Sequence, residues 1–230
     1  MKLFKSPFLA LSACLLATVI VTTSTQAQRL ENVPLPAHFE AGLAAYEAND
    51  LPLAYTEFLA GAEEGHIDSQ FNLALMHENG IGVDKDMKEA IVWYRKAALQ
   101  GSAAAQFNLG VLYENGRGTK VDFAEANEWY RRAAEQGDPL AIGNLGMLYI
   151  RGDGVPVNKI AGIALLLQSV TLDPSPANNA KQNITGTRGL TPQVITEAQE
   201  LADQMSKAKN LLVPFDQHLI LSNIPKYPGY

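Results

Sequence analysis

The 230-residue chain carries 18 Lys and Arg against 24 Asp and Glu, a formal net charge of −6. An acidic balance opposes nucleic acid and anionic lipid head groups as partners. Its one cysteine, Cys14, excludes a disulfide framework, so stability must come from packing.

The first stretch reads as a leader. Lys2 and Lys5 form a positive n-region, an apolar run follows from Phe8 to Val21, and Thr25-Gln26-Ala27 places small residues at −3 and −1. This pattern predicts a secretory signal over residues 1–27, cleaved after Ala27. The alternatives are an uncleaved anchor, for which the apolar run is short of the ~20 residues a span needs, and lipidation at Cys14 in Leu11-Ser12-Ala13-Cys14, which resembles a bacterial lipoprotein box. Cleavage after Ala27 removes Lys2, Lys5 and Cys14, leaving 16 basic and 24 acidic residues, no thiol and a net charge of about −8. The expected mature chain is periplasmic or secreted and has no membrane span.

Residues 28–36 hold two prolines and no periodicity, and read as a linker. A helix is expected over Ala37 to Asn49. From Asp50 onward a 36-residue period governs the chain: Asp50, Asp86, Asp122 and Asn158 stand at equal spacing, each suited to cap the N-terminus of a helix. Asp86 with Glu89, and Asp122 with Glu125, fit a capping box. FNLALMHENGIGV from Phe71, FNLGVLYENGRGT from Phe107 and GNLGMLYIRGDGV from Gly143 recur at the same interval, as do EAIVWYRKAALQG from Glu89 and EANEWYRRAAEQG from Glu125. Paired glycines (Gly80 and Gly82, Gly116 and Gly118, Gly152 and Gly154) mark the end of each first helix. They follow a helix rather than a strand and lack the Lys-Ser/Thr of a phosphate loop. The first pair has no such loop, and its turn is about five residues shorter. Leu73, Leu109 and Leu145 recur at packing positions. Trp93-Tyr94 and Trp129-Tyr130 alternate with Ala97-Ala98 and Ala133-Ala134, large against small at helical spacing. A period of this length means stacked helix pairs, none of which buries its apolar face alone.

The pattern A-x-x-x-L-G-x-x-Y-x-x-G-x-G followed by A-x-x-W-Y-x-x-A-A-x-x-G resembles the Sel-one-like repeat family, a relative of the tetratricopeptide repeat. Ala105 to Gly137 matches almost throughout; the unit from Gln70 has Ala74 and His77 in place of Gly and Tyr, and the third has Leu165-Leu166 in place of Trp-Tyr. The resemblance implies an all-α, right-handed solenoid of stacked antiparallel helix pairs over 37–172. Residues 173–208 then form a degenerate repeat and a C-terminal capping helix, with Thr191 as N-cap, Pro192 at N1 and an apolar stripe of Val194, Ala198, Leu201 and Met205. Residues 209–230 form a tail rich in proline and poor in charge, which either folds back on the last helices or is disordered, or else docks on a partner.

No catalytic constellation stands out. His38, His66, His77 and His218 lack metal-ligand spacing, Glu63-Glu64 diverge on a helix, and there is no G-x-S-x-G. Cysteine-rich relatives described as penicillin-binding or β-lactamase-like suggest an envelope or cell-wall hydrolase as the alternative function, but the cysteine pairs that staple those repeats are missing. The expectation is no catalytic residue, no metal and no cofactor. The resemblance instead implies a module that holds a protein or peptide partner of the cell envelope on its concave face, lined by first helices. Asn72, Asn108 and Asn144 repeat there, with Gln70 and Gln106 as a second polar row, and these five are the candidate partner-binding residues. A primary amide both donates and accepts, so it can pair with a peptide backbone without reading its sequence. A clamp for a terminal carboxylate is not expected, because Asp68, Phe71, Ala104, Phe107, Leu140 and Gly143 are not basic.

Overall fold

The computed structural model describes residues 37–223. The leader (1–27), the linker (28–36) and the last seven residues (224–230) lie outside the described residues, and so do Cys14 and the Ala27 cleavage site. The described residues form eleven helices and no strand: α1 (Ala37–Glu47), α2 (Leu51–Glu63), α3 (Ile67–Asn79), α4 (Met87–Leu99), α5 (Ala103–Asn115), α6 (Phe123–Glu135), α7 (Pro139–Arg151), α8 (Lys159–Leu172), α9 (Ala180–Gly186), α10 (Pro192–Lys207) and α11 (Leu212–Ser222).

Sequence-encoded caps set the boundaries. The side chains of Asp50, Asp86, Asp122 and Asn158 accept backbone N–H groups at the starts of α2, α4, α6 and α8. The second half of the expected capping box does not form. The backbone N–H groups of Asp86, Asp122 and Asn158 instead donate to the carbonyls of His77, Tyr113 and Tyr149 at 2.9, 2.9 and 2.8 Å. Glu125 is thereby left to accept from the Trp129 indole at 3.0 Å. The start of each second helix is thus tied to the end of its first helix. Gly80, Gly116 and Gly152 leave the first helices at φ 70°, 65° and 80°, the left-handed region.

The second glycine of each loop has a different task. Cβ atoms on Gly118 and Gly154 would lie 2.9 Å from the carbonyl oxygens of Met87 and Phe123, and one on Gly82 would collide with that of Leu51. Leu51, Met87 and Phe123 are the first residues of α2, α4 and α6. Each loop therefore sits on the helix start of the preceding pair, closer than any side chain permits. The α1–α2 turn has only residues 48–50, four fewer than the 80–86 loop, and Asn49 takes the left-handed conformation at φ 60°.

Each pair closes around a buried ring. Tyr94 and Tyr130 are fully buried, and Phe58 stands at the same register one unit earlier. Phe39, Phe71 and Phe107 pack on Phe58, Tyr94 and Tyr130 at centroid separations of 6.0, 5.7 and 6.0 Å. Gly110 is required beneath Tyr130, because a Cβ there would strike the ring. Ala97, Ala98, Ala133 and Ala134 are buried where the next pair crosses.

Beyond the third unit, α8 is apolar around most of its circumference and touches α7, α9, α10 and α11. The short helix of this region begins at Ala180. Buried Asn178 holds the turn before it, donating to the Ser169 carbonyl at 2.9 Å and the Asp173 carbonyl at 2.8 Å. The helix α10 buries Ala198, Leu201, Ala202 and Met205 against α8, with Thr191 capping its first turn. Within the tail, residues 212–222 form α11, which packs on α10 and α8.

Candidate functional site

The first helices α3, α5 and α7 form one wall, and α5 touches α7 directly. On this wall Leu75, Val111 and Met147 share a register and are each half-buried against the core, beside half-buried Phe71 and Phe107. One turn earlier stand Asn72, Asn108 and Asn144. A small cleft at the N-terminal end of the wall is lined by Tyr46, Phe58, Asn72, Leu75, Met76, Asn79 and Ile81. Helical spacing of three and four residues puts these side chains on the same face.

The two glutamines are buried and bonded within the chain. Gln70 donates to the Ala62 carbonyl at 3.1 Å and accepts from Gln100 at 2.8 Å. Gln106 repeats this with Ala98 at 2.9 Å and Gln136 at 2.7 Å. Ala62 and Ala98 lie in the last turns of the preceding second helices, and Gln100 and Gln136 are the C-cap residues of the following ones. The glutamine row is therefore a staple between successive pairs, which corrects its expected place in a binding groove. The physical reason is local: the last carbonyls of a helix have no intrahelical partner, so Ala62 and Ala98 each accept a turn N–H, from Gly65 and Gly101 at 3.1 Å, and the next helix supplies a second donor.

The asparagines divide. Asn72 is buried and donates back to the Asp68 carbonyl at 2.8 Å. Phe58 lies where the later units have tyrosine, so no hydroxyl is available to it. Asn144 donates to the Tyr130 hydroxyl at 3.1 Å, and Asn108 stands in the same register beside the Tyr94 hydroxyl. The hydroxyls in turn donate to Glu78 at 2.7 Å and Glu114 at 2.8 Å. Arg117 closes on Glu78 at 3.1 Å and Arg151 on Glu114 at 2.5 Å. Two parallel networks result, Arg117–Glu78–Tyr94, with Asn108 beside it, and Arg151–Glu114–Tyr130–Asn144. Burial first, and then the neighbouring carboxylate, push both tyrosines well above the usual phenol range, so they stay neutral donors. These networks escaped the sequence reading because each joins residues 14 to 39 positions apart. The in-register Asn, Tyr and Glu were nonetheless visible as repeated letters. Asn108 and Asn144 remain half-buried, and their side-chain oxygens make no hydrogen bond among the described residues.

The histidines serve the structure. His66 caps α3, accepting from Ser69 N–H at 3.2 Å. His38 meets Glu57 at 2.8 Å. His77 is buried edge-on to Tyr55 at 5.6 Å, in the slot that Tyr113 and Tyr149 fill later. Among the described residues no three His, Cys, Asp or Glu converge as metal ligands, and no helix is long and apolar enough to cross a membrane.

Stacked antiparallel helix pairs, locked by loops that sit on the preceding unit, define an α-helical repeat protein. The Sel1 repeat model matches residues 67–102, 103–138 and 139–173, so the chain contains three Sel1 repeats. It is similar to a Sel1 repeat protein from Oxalobacter formigenes: TM-score 0.60 at 28% identity, covering 73% of this chain and 70% of that one. It is also similar to c5321, a protective antigen of uropathogenic Escherichia coli strains with the same type of fold, with TM-score 0.63 and 29% identity over 88% of this chain. It spans about half (49%) of that protein's length. No curated protein sequence matches the chain.

Proposed function

We propose that this chain is an exported, non-catalytic scaffold that holds a segment of an envelope protein on the wall formed by α3, α5 and α7. The observation that carries this reading is the register of Leu75, Val111 and Met147 with Asn72, Asn108 and Asn144: an apolar row beside a row of primary amides, repeated once per unit. Half-buried apolar side chains at a fixed interval suit those of a bound segment, and the free oxygens of Asn108 and Asn144 suit its backbone N–H groups. Gln70, Gln106 and Asn72 act behind this face, holding its geometry. The repeat family is generally one of protein-interaction scaffolds, which favours this reading over an envelope hydrolase.

The test is affinity capture from an envelope fraction with the 28–230 chain as bait, followed by the Leu75→Gln, Val111→Gln double variant. The variant should melt within a few degrees of wild type yet lose the captured protein. Capture undiminished in a folded variant would move the partner off this wall. N-terminal sequencing of the exported protein tests the location; it should begin at Gln28, and a lipid-modified Cys14 would replace that reading with a membrane-anchored one.

A further inference from the structure

The helix α11 sits lightly on the solenoid. It buries only Leu212 and Phe215, and at its start Asn210 accepts from the Leu212 N–H at 2.9 Å. Its exposed residues include Val213, Ile220 and Leu221. Four residues, 208–211, separate it from α10.

Its anchor is nevertheless specific. Arg131 of α6 donates to both carboxylate oxygens of Asp216, at 2.8 and 2.7 Å. Phe215 meets Tyr149 of α7 edge-on at 5.0 Å, and the Arg131 guanidinium lies 5.8 Å from the Phe215 ring. At the far end Asn158 donates to the Ser222 hydroxyl at 3.2 Å. One guanidinium nitrogen, Arg131 Nη2, bonds both carboxylate oxygens, and this ion pair beside an edge-on aromatic contact recognises a Phe-Asp dipeptide rather than apolar surface in general.

The repeat explains why this site exists. One unit earlier, Arg95 donates to the Tyr113 hydroxyl and stacks on Trp129 at 5.7 Å. Arg131 and Tyr149 are the counterparts of Arg95 and Tyr113, 36 residues on, but the counterpart of Trp129 is Leu165. The smaller side chain leaves Arg131 beside Tyr149 but without the indole that Arg95 has. Phe215 adds a ring there, from a helix attached by a short connection. The same contact leaves His218 Nε2 buried with no partner, so it is incompletely satisfied.

We propose that the surface of α6 and α7 around Arg131 and Tyr149 is an exchangeable helix-binding site, and that in trans it takes α11 of a second copy of this chain. This site is separate from the first-helix wall and does not depend on the function proposed there. The occupant is specified by the one sequence that fits the site, the Leu-x-x-Phe-Asp run of Leu212, Phe215 and Asp216. The four-residue connection permits exchange, since a tethered helix and an untethered one compete for the same contacts, with the tether giving a local concentration of about millimolar.

The experiment titrates a fluorescein-labelled peptide of residues 210–223 into the full chain and into its Phe215→Ala, Asp216→Ala variant, alongside light scattering of both proteins over a concentration series. The peptide should bind the variant about tenfold or more tightly than wild type, because the tethered competitor is weakened. Adding Arg131→Ala should remove that binding, and wild type should show a dimer at high concentration that the double variant lacks. Should the double variant lose its helical signal, Asp216→Asn, which preserves size, replaces it and should move peptide affinity in the same direction. A wild-type chain that stays monomeric throughout, or a folded variant that binds peptide no better than wild type, overturns the proposal.

Discussion

Replacing Trp129 with alanine tests the packing between units directly. The indole is 4% exposed and lies between two cations, with the Arg95 guanidinium 5.7 Å and the Arg132 guanidinium 4.8 Å from the ring. Its N–H donates to Glu125 at 3.0 Å within α6. Truncation removes a large apolar surface from the junction of α4, α5 and α6 and opens a cavity that the backbone cannot close, because Ala133 and Ala134 already bring the helices into contact. Such changes cost about 3–5 kcal/mol. The lost cation–π contacts, about 0.5–1 kcal/mol each at partly exposed sites, fall within that range rather than adding to it. Domains of this size shift by about 2–4 °C per kcal/mol, so thermal denaturation followed by circular dichroism should show a melting point lower by roughly 6–20 °C. Because repeat units interact mainly with their neighbours, hydrogen exchange should rise first in α4 to α6 and least in α10. A melting point within 2 °C of wild type would mean that the ring is not the wedge between units, and the packing scheme would fail.

Tyr130→Phe removes the hydroxyl that links Glu114 to Asn144, and chemical denaturation should show a loss of about 1–3 kcal/mol, the range for stranding a buried partner; no loss would deny the network a structural role. Gly110→Ala drives a methyl group into the Tyr130 ring, so a folded variant should be destabilised by about 1–3 kcal/mol, whereas a neutral result would show slack beneath the ring. Two histidines should respond to pH in opposite directions. The hydrogen bond to Glu57 raises the His38 pKa above 6.5, burial opposing it, so the α1–α2 tie is fully present below pH 6.5 and fades as pH rises through the raised value; His38→Gln should abolish that trend in the hydrogen exchange of α1. Burial lowers the His218 pKa below 6.5, with Glu197 acting against it. The docking of α11 should therefore be complete above pH 6.5 and weaken as pH falls through the lowered value, with His218→Gln removing the dependence.

The backbone plan was legible in the letters because helical repeats are built from local rules at a fixed interval. Asp86, Asp122 and Asn158 cap second helices wherever they recur, Gly80, Gly116 and Gly152 end first helices, and the alternation of Trp-Tyr with Ala-Ala dictates that pairs must stack. Each of these effects acts within a few residues or between identical neighbours, so one sequence carries it openly. Only the tertiary structure decided what the polar rows do. Gln70 and Gln106 read as a binding surface because their repetition is as regular as that of the packing residues, yet each bonds a carbonyl eight residues earlier and a glutamine thirty residues later. Asn144 similarly bonds a tyrosine hydroxyl and Asn108 stands beside another, while Asn72, with Phe58 in place of tyrosine, turns back on its own helix. The docking of α11 was equally hidden. Its anchor joins Arg131 to Asp216 across 85 residues, outside any period. A polar side chain goes where its unpaired donor or acceptor finds a partner, and that is settled by which helix ends and rings the fold brings within hydrogen-bond reach.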